Sequence, residues 1–391
     1  MNRRELLAAA AFLVASPVLA RDAGQFPAFV QTFRAPALAA GVSAATFDAV
    51  ASGLALDPSL TGKRAAQGEF ARPLKSYVEA AASPARVAKG RAMAARYAAP
   101  LREISARYGA PPAMIVALWG MESDYGAARG DRDIFRSLAT LAFLNPDNPV
   151  YGQEFVAGLV LLQRGIPREK LRGSWAGAMG DPQFMPSAYI KYARSFDRAG
   201  APDIWTSAPD SLASIGNFLK QSGWTPGLPP LIEARIPPNF GYASLRGDFA
   251  DFARAGVAPR EGGALPRGGE AMLFFPAGAP SPAFLLSGNF FVLKAYNFSD
   301  SYAFAASVLA DRIAGRPILR EKWPKETHPL TLSDREAIQR GLAARGLYDG
   351  KIDGRFGPVT RLAIHALQRK AGVAKADGYP SRAVLALLKA Q

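Results

Sequence analysis

PPAMIVALWGMESDYG, residues 111 to 126, is the stretch on which the reading of this chain turns. The paired prolines behind Gly109 end one helix and can open another, because proline's missing N–H costs nothing in a first turn. From Ala113 to Met121 no residue is polar, which predicts a helix buried on every side. Glu122 stands at its end, with Leu118, Trp119 and Ile115 one and two turns back on the same face. A carboxyl group so placed is poorly solvated, which disfavours its charge and raises its pKa, as a general acid requires. The plainer reading, a helix that simply reaches solvent at its first charged residue, is displaced only by the rest of the chain.

The 391 residues suffice for one large or two unequal domains. Residues 1–20 belong to neither: Arg3 and Arg4 precede the apolar run Leu6 to Val14, and Val18-Leu19-Ala20 offers small residues for cleavage, so the pattern is that of a signal peptide cut near Ala20. Twin-arginine export is a weak match, with Asn2 before and Glu5 after the pair. No other stretch is apolar enough to span a bilayer, so no stable membrane insertion is expected, and a periplasmic location follows. There are no cysteines, hence no disulfides and no thiol for a lipid. Only His328 and His365 are present, which argues against a histidine triad or zinc site and leaves acid–base work to carboxylates. A formal charge of +15 attracts polyanions; export makes acidic cell wall the expected one, and no nucleic-acid module is recognisable.

Along the chain, Phe26 to Leu54 holds two short amphipathic segments, Ser83 to Tyr108 one long helix or two abutting ones, and Ile134 to Leu144 and Tyr151 to Gln163 further helices. GSWAGAMGDPQFMPS, residues 173 to 187, has too many glycines and prolines for regular structure and too many apolar residues for a solvated loop, so it is expected to line a cleft. Its Ser174 and Gln183 are uncharged hydrogen-bonding groups suited to sugar substituents. Helices are expected over Pro186 to Phe196, Ala208 to Ser222 and Ser301 to Ile313. Between the last two the chain is loosely β-like, in LIEARI, AMLFFP, AFLLSG and NFFVLKAYN. A charged stretch near 316–328 reads as a linker. Beyond it three helices, Leu332 to Ala344, Val359 to Leu367 and Ser381 to Leu388, form a small unit with eleven Lys/Arg against five Asp/Glu.

Three blocks, ALWGMESDYG with SLATLAF, GSWAGAMGDPQFMPSAYIKYA, and NFFVLKAYNFSDSYA, together resemble the soluble, lysozyme-like lytic murein transglycosylases of the B type. The tail resembles the three-helix peptidoglycan-binding module through DGKIDGRFGPVTRLAIHALQ. The resemblance implies a mainly α fold: a lysozyme-like catalytic domain with a small β-containing region over 21–315, a linker over 316–328, and a three-helix C-terminal domain over 329–391. It implies that Glu122 is the sole catalytic acid and base, that Ser174 and Gln183 contact the sugar at the cleavage site, and that Phe184 and Met185 shape the cleft. Tyr77, Tyr151, Asn297 and Tyr302 fall where the family lines its groove; for any one tyrosine taken alone, half-buried packing is the commoner role. Two departures stand out. Phe218 replaces a tyrosine common in the family, and the family's calcium loop is degraded to SFDRAGAPDIW, whose alternate positions include Ala199 and Ala201. No cofactor and no metal are expected.

Asp124 is two residues from Glu122, and Asp131 and Asp133 lie beyond glycines, so no second catalytic carboxylate is evident. That fits a substrate-assisted route in which the N-acetyl group of N-acetylmuramic acid stabilises the oxocarbenium-like centre and the product is a 1,6-anhydromuramic end. The rivals are a hydrolytic muramidase and a non-catalytic wall-binding scaffold. The expected partners are peptidoglycan glycan strands, with other cell-wall enzymes as candidates and nucleic acid excluded.

Overall fold

The expected buried helix forms as Pro112–Ser123, and every residue from Met114 to Gly120 is buried. In this computed structural model the described residues are 22–61, 73–197, 199–279, 282–316, 319, 323 and 330–390. The signal peptide expected over 1–20 and most of the expected linker over 316–328 lie outside them. The chain divides into two compact units, one holding 118 to 221 with 93 to 108 and the described residues before 62, the other holding 222 to 390 with 73 to 92 and 109 to 117.

The first unit is helical. Phe26–Gln31, Arg34–Ala39 and Ala44–Ala51 replace the two segments expected at its start, and the long segment ahead of residue 109 is two abutting helices, Pro84–Arg96 and Ala98–Tyr108, the second of which belongs to this unit. Ile134–Leu144 starts on Asp133, whose carboxylate accepts from the N–H groups of Phe135 and Arg136, and it packs on Val150–Gln163. Phe135 meets Phe155 edge-on across that seam at 5.9 Å, and Phe26 of the first helix meets Phe143 at 5.4 Å. The glycine-rich loop is more regular than expected. Strand β1 (Arg132–Asp133) pairs antiparallel with β2 (Arg172–Gly173), and single bridges join Met179 to Gly173 and to Phe184.

The helix expected to reach Phe196 stops at Tyr192. The reason is the neighbouring helix Ala208–Gln221: Asn217 donates to the carbonyl of Tyr192 at 2.9 Å, and the Ser214 hydroxyl accepts from the Arg194 N–H at 2.9 Å. The chain-end groups of one helix are thereby satisfied by side chains of the next.

In the second unit, β3 (Leu231–Arg235), β4 (Arg246–Asp248), β5 (Ala258–Pro259), β6 (Glu270–Phe274) and β7 (Ala283–Ser287) form an antiparallel sheet in the order β4-β6-β7-β3-β5. Strands β6 and β7 are buried on both faces, which is why AMLFF and AFLLS read as continuous apolar runs rather than alternating ones. Phe274 and Phe284 face Phe304 of the helix Asp300–Ile313, while Leu273, Leu285 and Phe275 face a cluster with Phe249, Phe252 and Tyr242. NFFVLKAYN is not β-like but helical, Gly288–Tyr296. Ser287, the last residue of β7, caps that helix by accepting from the Asn289 N–H at 3.1 Å, and the buried Phe290, Val292 and Leu293 have helical, not alternating, spacing.

The tail helices Leu332–Ala343, Pro358–Lys370 and Arg382–Ala390 share a core of Ile338, Leu342, Ile364, Leu367 and Val384. The same tail also packs on the sheet: Ala376 lies within the sheet's core cluster, His365 Nε2 is 2.9 Å from the Tyr242 carbonyl, and the Arg361 guanidinium sits 4.3 Å over the Phe274 ring.

Candidate active site

Glu122 is half-buried on the last turn of Pro112–Ser123. The helix is stopped in an unusual way. Asp124 and Tyr125 both take left-handed backbone, φ 49° and 59°, before Gly126. The Asp124 N–H bonds the Gly120 carbonyl at 3.2 Å and the Tyr125 N–H reaches the Trp119 carbonyl at 3.3 Å. The chain thus doubles back and lays the Tyr125 ring over Gly120, where a Cβ would stand 2.5 Å from a ring carbon. That contact explains a glycine inside an otherwise apolar helix. Gln183, in the cleft loop, is left-handed too, φ 50°. Each such non-glycine residue costs on the order of 1–3 kcal/mol, and residues of this kind gather at functional sites.

The loop 173 to 187 is tied to the segment after Glu122 by an ion pair between a buried aspartate and a partly exposed arginine. Asp181 is 1% exposed and bonds the Arg129 guanidinium; burial raises its carboxyl pKa, and Arg129 opposes that rise. Gln183 Nε2 donates to the Arg129 carbonyl at 2.9 Å and to the Gly180 carbonyl at 2.8 Å, while its Oε1 accepts nothing among the described residues. Ser174 folds the loop on itself, its hydroxyl accepting from the Ala178 N–H at 3.2 Å. A cleft of about 360 Å³ results, lined by Gly130, Asp131, Gly173, Ser174, Trp175 and Gln183 among others.

The expected site residues divide accordingly. Ser174 and Gln183 share that cleft, and Glu122, Tyr151, Phe184 and Met185 lie in the same unit off its lining. Phe184 is buried between Tyr192 and Phe218, at 6.3 and 6.0 Å between ring centres. Met185 is half-buried at the start of Pro186–Tyr192, and Tyr151 is half-buried in Val150–Gln163, where burial raises its phenol pKa. Tyr77, Asn297 and Tyr302 belong to the second unit: Tyr77 is half-buried in Leu74–Ala81, Asn297 accepts from the Ser299 N–H at 3.1 Å, and Tyr302 is almost fully buried.

Sequence reasoning passed over Arg129, Asp181 and Glu154. Glu154 is buried in the middle of an apolar helix, which is its sequence signal, and its carboxylate accepts from the Ser187 N–H at 2.9 Å and hydroxyl at 2.6 Å. Burial raises its pKa, and the Ser187 bonds oppose the rise. An aspartate embedded in a glycine-rich apolar loop was the corresponding signal for Asp181.

The site thus has a half-buried carboxylate at the end of a buried helix and, seven residues on, Arg129 tying that segment to an apolar glycine-rich loop. The family model described as Transglycosylase SLT domain matches residues 25–311, and the chain belongs to that family. A second model, described as a peptidoglycan binding domain, matches residues 331–388. The chain is similar to SltB3 from Pseudomonas aeruginosa, solved in complex with NAG-anhNAM-pentapeptide: 42% identity, TM-score 0.83, covering 93% of this chain and 99% of that one. It is also similar to the Escherichia coli lytic transglycosylase Slt35, solved in complex with calcium, at 27% identity and TM-score 0.63 over 73% of this chain and 92% of that one. Membrane-bound lytic murein transglycosylase B of Escherichia coli K12 is 30% identical over 211 residues, 51% of this chain and 56% of that protein, so the chain matches little more than half the length of this relative.

The loop that would correspond to a calcium site does not fit the ion. Asp210 accepts from the N–H groups of Phe196 at 3.0 Å and Asp203 at 2.8 Å. Asp203 accepts from Trp205 and Thr206 and holds the Lys170 ammonium at 2.9 Å. Burial alone would raise Asp203; the Thr206 hydroxyl, Lys170 and the two N–H groups overcome it and hold the carboxyl at about 2. The nearby Tyr189, buried and facing Asp203 and Asp210, is pushed up to about 12 and donates to the Pro202 carbonyl at 2.6 Å. Every carboxylate here already faces N–H or O–H donors, whereas calcium needs six to eight oxygens of its own.

Proposed function

We propose that this protein is a lytic transglycosylase that cleaves the β-1,4 bond between N-acetylmuramic acid and N-acetylglucosamine in peptidoglycan and leaves 1,6-anhydromuramic ends. Glu122 protonates the leaving glycosidic oxygen; as carboxylate it then takes the proton from the sugar's own C6 hydroxyl, which closes the anhydro ring. The observation that supports this reading is Glu122 on the last turn of a buried helix, closed by left-handed Asp124 and Tyr125, in the same unit as the loop of Ser174 and Gln183, which Arg129 holds through Asp181 and Gln183. In this reading Gln183 Oε1 and Ser174 meet sugar substituents, Phe184 and Met185 shape the cleft, and Tyr77, Tyr151, Asn297 and Tyr302 serve the groove. Residues 21–315 are the catalytic domain, and 329–391, after the 316–328 linker, hold the wall. Export removes 1–20 near Ala20 and delivers the enzyme to the periplasm; among the described residues no helix is long and apolar enough to cross a membrane.

The test is Glu122→Gln, which keeps shape and hydrogen bonding but removes proton transfer. Turnover of purified peptidoglycan is expected to fall at least about a hundredfold with melting temperature retained. Substantial turnover by a folded variant would refute the assignment.

A further inference from the structure

The tail contains the same device twice. In the first half, Gln339 Oε1 accepts from the N–H groups of Asp353 at 2.9 Å and Gly354 at 2.7 Å, and its Nε2 donates to Asp353 Oδ1 at 3.1 Å. In the second half, Gln368 Oε1 accepts from the Gly378 N–H at 2.8 Å and its Nε2 donates to Asp377 Oδ1 at 2.9 Å. In each turn the aspartate Oδ1 also takes the N–H two residues on, from Arg355 and from Tyr379. Seven residues before each glutamine, the Leu332 side chain lies against Gly354 and the Arg361 backbone carbonyl lies against Gly378.

The second half shows what such a face binds. Asp377 Oδ2 accepts the backbone N–H of Ala279 at 2.8 Å, Ala376 just before it is fully buried, and Arg361 is buried over Phe274. The face therefore takes a peptide N–H on one carboxylate oxygen, beside a buried alanine. In the first half the equivalent positions are open. Asp353 Oδ2 accepts nothing among the described residues; Ile352, the counterpart of Ala376, is 36% exposed, and Leu332, the counterpart of Arg361, is 54% exposed. The open face keeps the acceptor and the apolar residue before it, and has an exposed leucine where the occupied face has Arg361.

We propose that this open face, Leu332, Ile352 and Asp353, binds the peptide stems of peptidoglycan. A stem amide N–H is taken by Asp353 Oδ2, alanine methyl groups lie on Ile352 and Leu332, and the adjacent Arg355 favours the stem's carboxylates. The proposal rests on the reading of the tail as a wall-binding module and adds that the module recognises peptide rather than sugar.

The experiment uses the full chain carrying Glu122→Gln, so that strands are not consumed, with glycan strands that retain their stems and strands stripped of them by an amidase. Asp353→Asn keeps Oδ1 for Gln339 but turns the open position into a donor; Ile352→Asp charges the face. Each is expected to raise the Kd for stem-bearing strands at least fivefold, to leave binding of stripped strands unchanged, and to melt with the parent. Unaltered binding of stem-bearing strands would overturn the proposal, as would an equal loss on both strand types, which would place glycan on this face. Failure of the parent to bind either strand would instead overturn the wall-binding reading beneath it.

Discussion

Glu154 and Ser187 are joined twice, carboxylate to backbone N–H at 2.9 Å and carboxylate to hydroxyl at 2.6 Å, across two helices. Helix Pro186–Tyr192 begins at Met185, which has no capping oxygen, so Glu154 supplies the cap from Val150–Gln163. Glu154→Ala is expected to cost about 1–2 kcal/mol of unfolding free energy, measured by denaturant titration, and to lower turnover through a misplaced cleft loop. A variant as stable as the parent would show that the cap is unimportant.

Gly120 is held by sterics. The Cβ of Gly120→Ala would stand 2.5 Å from the Tyr125 ring, which is itself pinned edge-on to Trp119 at 5.8 Å. The ring cannot retreat without releasing the left-handed stop after Glu122, so this small change is expected to cost about 1–3 kcal/mol and most of the activity. An active Gly120→Ala variant with unchanged melting temperature would contradict that geometry.

Much of this was legible in the sequence, and the failures share a cause. The apolar run to Glu122 and the cleft loop were readable because burial leaves a compositional mark at those very residues. NFFVLKAYN misled because β7 runs straight into a helix at Ser287 and both are apolar; only the capping serine marks the boundary. Asp181 and Glu154 pair with partners 52 and 33 residues away, and no local pattern announces such a partner. The packing of the tail on the sheet is equally non-local.

That packing bears on truncation. A chain ending at residue 316 would uncover the sheet face that Ala376 and Leu362 cover and leave Tyr242 without His365. It is expected to lose co-sedimentation with sacculi and also to melt several degrees lower, since the exposed apolar area costs on the order of 25 cal/mol per Å². An unchanged melting temperature would show that the tail is merely tethered.

Asp203 sets an acid limit. Its folded pKa of about 2 lies below the ordinary 3.8, so its contribution to stability is fully present above about pH 4 and is lost as pH falls towards 2. Lys170→Met should therefore lower stability at neutral pH and flatten the fall in melting temperature between pH 4 and 2. Because the loop's carboxylates already face donors, millimolar calcium or chelator should leave the melting temperature unmoved; a calcium-dependent rise of several degrees, lost in Asp197→Ala, would show a site after all.

The most direct test of the central claim is mass spectrometry of the muropeptides released from purified peptidoglycan. The chemistry assigned to Glu122 predicts products ending in 1,6-anhydro-N-acetylmuramic acid, lighter than hydrolysis products by one water, about 18 mass units, and absent with Glu122→Gln. Reducing ends from the parent protein would contradict it and make the enzyme a hydrolase that activates water at this site.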